Sequence, residues 1–470
     1  MDRFDLTVLG AGPGGYVAAI RAAQRGASVA LIERDRLGGT CLNVGCIPTK
    51  CYIRGAELLD QIRQAADFGV RVPGPAEADW PAMVARKNRI VDGLRQGVAS
   101  LLKSNGVKVL QGTGAFESRR VLRVEGEGEP LRIESKATII ATGSVTAKPA
   151  FVPRAANVYY STEVLDLPAL PASLLILGGG VIGCEFACLF ARLGVPVTLV
   201  EMLPEILPMV DRDVARVVRH AMKLLGAEVF TGQAMEALQA DGRTVSGEVG
   251  GKTLRADALL VCVGRKAYSE SLNLAAAGLA LNDKGCLDVT DSCRTRAPGI
   301  YAIGDVAGAI QYAHRASAMG LVAAANATGD RERHSDALVP SCIFTLPEIG
   351  AVGLTEDEAA AEGLKVNTGK YFLAGLGKAQ IEGAAEGFCK IVADAETDQV
   401  LGVQIVGAHA TELIAESATA MSLEITAAEL GRAIHAHPTL AEATMEAAHA
   451  VHNQCIHMPP RRRPPAPPRP

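Results

Sequence analysis

One pattern occurs twice in this chain, and it constrains the fold more than any other feature. Asp5 to Arg34 reads DLTVLGAGPGGYVAAIRAAQRGASVALIER, and Ser173 to Met202 reads SLLILGGGVIGCEFACLFARLGVPVTLVEM. Each segment is an apolar strand, a glycine turn, an amphipathic helix and a second apolar strand. Each second strand ends on an acid, Glu33 in the first and Glu201 in the second, about 20 residues beyond the glycines. Two βαβ units of this kind predict an α/β chain with two bound dinucleotides.

The glycines carry separate tasks. In Gly10-x-Gly12-x-x-Gly15 the first makes the tight turn, the second lets the backbone approach a pyrophosphate, and the third lets helix pack on strand. The phosphates then sit on the positive end of the helix. Glu33 is placed to bond a ribose hydroxyl. Gly178, Gly180 and Gly183 repeat the pattern with Glu201. A carboxylate there repels a 2′-phosphate and accepts from a free 2′-hydroxyl, so NAD is expected rather than NADP. Arg192 reads as a solvated helix residue.

Eleven cysteines are scattered along 470 residues. An odd number over so long a chain is not a secreted disulfide framework. Most, such as Cys262 in LLVCVG, read as small buried hydrophobes. The exception is Gly38-Gly-Thr-Cys41-Leu-Asn-Val-Gly-Cys46-Ile-Pro-Thr-Lys50, which also leads towards Cys51. This stretch follows a dinucleotide unit and runs into a helix, whose N-terminus favours thiolate. Lys50 adds positive charge. The pair therefore reads as redox-active. Two unrelated buried thiols, or a zinc site, are the alternatives, but no CxxC or His-spaced set is nearby.

Other classes are excluded by simple counts. Net charge is −4 and aromatics are 4%, so neither a basic surface nor base-stacking platforms point to nucleic acid. No apolar run reaches the 18 or so residues of a membrane span. The N-terminus enters a strand without a leader pattern, which makes the cytoplasm the expected location.

Further along, a helical stretch is expected from Thr49 to about Asn105, followed by β structure through GTGAF and ATIIATGS. GIYAIGDVAG follows the second unit. From about Val339 short strands alternate with Ala/Glu-rich helices, as in an α+β domain with an antiparallel sheet. Near the end stands His435-Ala-His437-Pro438-Thr439-Leu-Ala-Glu442, and RRRPPAPPRP closes the chain as an expected unfolded tail.

GGTCLNVGCIPTK resembles the active-site motif of the pyridine nucleotide–disulphide oxidoreductases, and the chain resembles that family from about Phe4 to about Val451. Within it the dihydrolipoyl dehydrogenases are the most similar branch. The resemblance implies two Rossmann-like domains and a C-terminal α+β dimerisation domain. The boundaries expected are 1–146 and 268–336 for FAD, 147–267 for NAD, 337–457 for the interface and 458–470 for the tail. It implies that Cys41 exchanges with dihydrolipoamide while Cys46 faces the flavin. Lys50 is expected near the flavin, paired with Glu185. Gly114, Thr142, Gly143, Asp305 and Ala313 match FAD-contacting positions, and Gly264 matches a contact to NAD. In HxHPTxxE, His437 corresponds to the base that deprotonates the substrate, oriented by Glu442, and the His437–Pro438 bond is cis. His435 keeps a structural reading.

The implied reaction oxidises dihydrolipoamide through a Cys41–Cys46 disulfide and FAD, with NAD as acceptor. A homodimer sharing its active site across the interface is implied. So is a separate lipoylated partner from a 2-oxo acid dehydrogenase or glycine cleavage system, since no lipoyl domain precedes Phe4. Rivals within the family are glutathione- and mercuric-reductase-like enzymes. Glu201 disfavours the NADPH of the former, and a lone Cys455 lacks the C-terminal cysteine pair of the latter. A non-catalytic FAD-binding component is a rival of another class. Three departures stand out: VGRKAYSE in place of VGRxPN, Tyr312 where leucine is usual, and the tail Arg461 to Pro470.

Overall fold

In the computed structural model, residues 1–308 and 310–459 are described. The expected tail at 461–470 lies outside them. The chain divides into two compact units. One comprises Met1–Ser173, Ala237–Ser246 and Arg255–Asp336; the other comprises Leu174–Glu236, Gly247–Leu254 and 337–459.

The first unit is built on a seven-stranded sheet. Lys108–Gln111, Val29–Glu33, Asp2–Leu9 and Leu131–Ile140 lie side by side in that order and run parallel. The start of Leu131–Ile140 carries the antiparallel hairpin Val121–Glu125 with Thr113–Phe116, and its end carries Ile300–Ala302 in parallel. Val29–Glu33 is buried at every position, which suits a parallel strand covered on both faces. Helices Pro13–Gln24 and Ala313–Ala327 cross closely because small residues meet there. A Cβ at Gly14 would lie 2.8 Å from the Ala316 carbonyl oxygen, and one at Gly320 would lie 2.6 Å from that of Gly14.

The long helical stretch is two helices, Cys46–Arg63 and Trp80–Ser104, with a 3₁₀ turn at Ala65–Phe68 between them. Gly69, Pro73, Gly74 and Pro75 break the pattern. The chain then caps the second helix with Asp79, whose side chain accepts from the Ala82 N–H at 2.9 Å.

In the second unit Leu174–Leu177, Val197–Glu201 and Glu228–Thr231 run parallel, with helix Val181–Arg192 after the first strand. An antiparallel sheet follows, in the order Ser341–Ile343, Glu348–Gly353, Val400–Gly407, Phe388–Asp394, Val366–Phe372. Ala410–Ser422 and Glu442–Val451 supply apolar residues to its core. An ion cluster around the buried Lys390 and Asp211 ties the two sheets of this unit together. Lys390 Nζ lies 2.8 Å from Asp211 and 2.7 Å from Glu356, and the Asp211 N–H donates to Gln404 at 2.9 Å.

Candidate active site and dinucleotide loops

The two glycine turns fold as their sequences require. Gly10 adopts φ +98° and Gly178 φ +108°, the left-handed region that glycine enters without steric cost. A Cβ at Gly15 would overlap the Gly10 carbonyl oxygen, so the third glycine is fixed by helix–strand contact. At Gly12 and Gly180 a Cβ would meet no protein atom within 4 Å. Each of these two glycines begins a twelve-residue helix that no side chain caps. Open space in front of uncapped helix N–H groups is what a pyrophosphate needs, so these residues fit a dinucleotide at each loop.

Glu33 and Glu201 are both buried and do the same work. Glu33 accepts from the N–H of Ala11 at 2.7 Å and of Asp35 at 2.8 Å. Glu201 accepts from Gly179 at 2.6 Å and Leu203 at 2.7 Å. Each acid fixes its glycine loop and keeps lone pairs for a ribose hydroxyl, because a carboxylate has about four acceptor positions.

The redox segment packs on the first loop. The Gly38 N–H donates to the Ala11 carbonyl at 2.8 Å, and a Cβ at Gly39 would lie 2.6 Å from Gly12 Cα. Cys41 lies in the short helix Gly39–Val44, and Cys46 opens Cys46–Arg63. Gly45 between them lets the two helices approach, since a Cβ there would meet the Thr40 carbonyl at 3.0 Å and Cys41 Cα at 3.4 Å. The thiols of Cys41 and Cys46 are within hydrogen-bond reach of each other. The Cys41 thiol is held far above its ordinary range. Its bond to Cys46 contributes most, then burial, then negative charge on Cys46, with Lys50 pulling the other way. The Cys41 thiol therefore holds its proton tightly while Cys46 lies beside it.

Asp305 sits in the turn Gly304–Ala307 and accepts from Ser144 Oγ at 2.5 Å. Thr142 Oγ1 donates to the Tyr268 carbonyl at 2.6 Å, and the Tyr268 N–H donates to Gly143 at 2.9 Å. Gly143 and Gly264 have positive φ and face open space. Ala313 begins the helix Ala313–Ala327. Gly114 differs: a Cβ there would meet Leu9 at 2.5 Å and Ile32 at 3.3 Å, so core packing also requires glycine at this position. The departure at Lys266–Tyr268 puts a tyrosine ring under Arg34, whose guanidinium lies 3.8 Å from the ring centroid.

In the second unit Glu185 is buried on Val181–Arg192, and its Oε1 accepts from the Phe344 N–H at 3.0 Å. His437 Nδ1 is 2.9 Å from Glu442 Oε1, and the Thr439 N–H donates to Glu442 Oε2 at 2.9 Å. The His437–Pro438 bond is cis. Burial alone would raise the Glu442 carboxyl. The Thr439 N–H, the bond to His437 and the charges of His437 and His457 more than offset this, and its pKa lies below the ordinary 4.5. The His437 side chain is 75% exposed and Ile434 beside it is fully exposed. His435 is enclosed instead, with Nε2 2.7 Å from Glu416 and Nδ1 2.9 Å from the Ala433 carbonyl, as its structural reading requires. Glu446, one turn beyond Glu442, holds Cys455 at 2.9 Å and His457 at 2.6 Å. Those contacts, like Arg265 and Ser144 in the first unit, had no sequence signal, since no motif joins their members.

Comparison with known proteins agrees along the whole chain. Residues 4–320 match the family model described as pyridine nucleotide-disulphide oxidoreductase, and 339–448 match that family's dimerisation domain. A dihydrolipoyl dehydrogenase of Chlamydia pneumoniae is 41% identical over 98% of this chain and 99% of its own length. One of Bacillus subtilis is 41% identical over 96% and 99%. Among solved structures, LpdA from Mycobacterium tuberculosis superposes with a TM-score of 0.88 at 28% identity, covering 96% of this chain and 99% of that one. The HOCl-induced flavoprotein disulfide reductase RclA from Escherichia coli gives 0.85 at 29%, covering 94% and 99%. Among the described residues no helix is long and apolar enough to cross a membrane. Two dinucleotide loops, a cysteine pair packed on the first and a His–Glu pair in the matched dimerisation segment are one family's parts in one order, and the chain belongs to the pyridine nucleotide–disulphide oxidoreductases.

Proposed function

We propose that this chain is a dihydrolipoyl dehydrogenase, oxidising protein-bound dihydrolipoamide at the Cys41–Cys46 pair with FAD at the first loop and NAD at the second. The observation that carries this reading is the contact of the two thiols beside Lys50, on top of the Gly12 loop. Relatives of that name at about the same length and 41% identity support it.

His437 acts as the base. Its Nδ1–H, donated to Glu442, leaves Nε2 with a lone pair for a substrate thiol proton, and the ionised Glu442 stabilises the resulting imidazolium. The substrate thiolate attacks Cys41 of the enzyme disulfide, the Cys41–Cys46 bond breaks, and Cys46 takes the electron pair as thiolate. The second substrate thiol, deprotonated in turn, attacks the mixed disulfide and releases lipoamide, which leaves a dithiol on the protein. FAD held at the first loop would supply the redox chemistry that links this dithiol to NAD at the second. Lys50 and Glu185 keep the flavin-side roles implied above, Gly114, Thr142, Gly143, Asp305 and Ala313 line the FAD side, and Gly264 the NAD side. Glu201 favours NAD over its 2′-phosphate.

The exposed His437 and Ile434 suit a site completed by a second copy of the chain, so the working form is a homodimer. It acts in the cytoplasm on a lipoylated domain of a 2-oxo acid dehydrogenase or glycine cleavage complex. The test is steady-state turnover of dihydrolipoamide, glutathione disulfide and Hg(II), each with NAD and NADP. Preference for dihydrolipoamide with NAD is expected, and preference for either other substrate would overturn the reading.

A further inference from the structure

Arg265 has no role in the scheme above, yet its guanidinium makes four hydrogen bonds in the first unit. It is half-buried on the strand Arg265–Ala267, which pairs antiparallel with Ser144–Thr146. Its Nε donates to Ser144 Oγ at 2.8 Å and its Nη2 to the Ser144 carbonyl at 2.8 Å. Nη1 reaches Thr146 Oγ1 at 3.4 Å, and Nη2 reaches Thr40 Oγ1 at 3.5 Å. Ser144 Oγ in turn donates to Asp305. One guanidinium fork thus links the residue before Cys41, the strand after Thr142–Gly143 and, through one hydroxyl, the Asp305 carboxylate.

We propose that Arg265 is a positioning residue of the redox pair: its fork fixes the Thr40–Cys41 segment against Ser144 and Asp305, and its charge favours Cys46 as thiolate in the reduced protein. This rests on the functional reading given above. Charge on Cys46 bears on Cys41 in the helix Gly39–Val44 and on Arg265 in the strand, and Lys50, from the helix that Cys46 opens, bears on Cys41. Tyr16 lies against the Cys41 side. Burial lowers the Arg265 pKa, while Asp305 and Cys46 oppose that effect, so the guanidinium stays charged among partners that need it. A lysine is a point charge and cannot make the four contacts at once.

The chemistry explains why a cation is placed there. When the disulfide takes up an electron pair and one proton from dihydrolipoamide, the bond between Cys41 and Cys46 is replaced by one thiol and one thiolate. Cys41 holds a proton, and the charge left on Cys46 needs a fixed counter-charge that does not titrate. Arginine meets that requirement because a guanidinium is not deprotonated in proteins.

The test uses the full-length, FAD-loaded protein and the variants R265Q and R265K. After anaerobic two-electron reduction, the long-wavelength thiolate–flavin absorbance is titrated against pH. The pH dependence of iodoacetamide alkylation of the reduced thiols is measured alongside. R265Q is expected to move both midpoints upward by about one pH unit, the low end of what an opposite charge contributes. R265K keeps the charge and should move them by less than half of that, while FAD dissociates faster than from wild type because the fork is lost. Unchanged midpoints in R265Q would overturn the proposal. If R265Q does not retain FAD, the alkylation profile decides, since it needs no flavin. Absence of any thiol-dependent absorbance in wild type would instead count against the functional reading, so the two failures are distinct.

Discussion

In both units a strand-end glutamate accepts one N–H of its glycine loop and one from the chain two residues after itself: Ala11 at 2.7 Å and Asp35 at 2.8 Å for Glu33, Gly179 at 2.6 Å and Leu203 at 2.7 Å for Glu201. What is packed on each loop differs. On the first lies the cysteine segment, held by the Gly38 bond to Ala11 and the approach of Gly39 to Gly12. On the second lies Leu203–Leu207, where the buried Leu207 at φ +50° donates to the Gly179 carbonyl at 2.9 Å. One phosphate-binding device therefore serves two purposes. The loop carrying thiols becomes a reaction centre, and the loop covered by aliphatic side chains remains a binding site.

The largest expected effect falls on the thiols. Cys46→Ser should abolish lipoamide-linked turnover while FAD stays bound, as measured by steady-state assay and flavin absorbance; full turnover would make the two loops equivalent after all. Next, His437→Gln should lower kcat/KM by about 10²–10⁴-fold, the usual contribution of a general base, with FAD content unchanged. A smaller loss, within tenfold, would mean that the substrate thiol needs no base here.

Gly39→Ala places a methyl group 2.6 Å from Gly12 Cα in a left-handed backbone position. It should cost about 1–3 kcal/mol by overpacking and speed FAD release, as read by thermal unfolding and flavin fluorescence. Gly180→Ala is the counterpart at the second loop, where the added methyl meets no protein atom. Stability should change by no more than about 0.5 kcal/mol, while KM for NAD rises. If both variants behaved alike, the contrast between the loops would fail. The smallest effect concerns pH. Glu442 has a depressed pKa, so the stability it contributes is present above pH 4.5 and is lost as pH falls through the depressed value. Glu442→Gln should remove that acid-side slope from unfolding curves measured below pH 4.5.

Much of this site was legible in the sequence because the glycine turns and their acids are local devices. Gly10, Gly12 and Gly15 each need a distinct backbone property within six residues, and Cys41 and Cys46 lie only five apart. His437 and Glu442 are likewise joined across one short segment. The remainder depends on partners distant along the chain. Ser144 meets Asp305 across 161 residues and Arg265 across 121, separations at which spacing carries no signal. At Gly114 the packing of Leu9 and Ile32 adds a second reason for glycine that the sequence did not show. The expected single helical stretch failed between Gly69 and Pro75, where breakers that periodicity overlooks separate two helices. Tyr268, a departure from the family pattern, is tied to Thr142 and Gly143 through its backbone and stacks under Arg34 with its ring.

The central claim is that the cysteine pair on the first loop is an asymmetric redox centre with Cys46 on the flavin side. Anaerobic titration of the FAD-loaded protein with dihydrolipoamide tests it most directly, followed by long-wavelength absorbance in wild type, Cys41→Ser and Cys46→Ser. The account predicts that the band appears in wild type on reduction, is present in Cys41→Ser without reductant, and is absent from Cys46→Ser under all conditions. A band that survives in Cys46→Ser, or that depends on Cys41 instead, would contradict it.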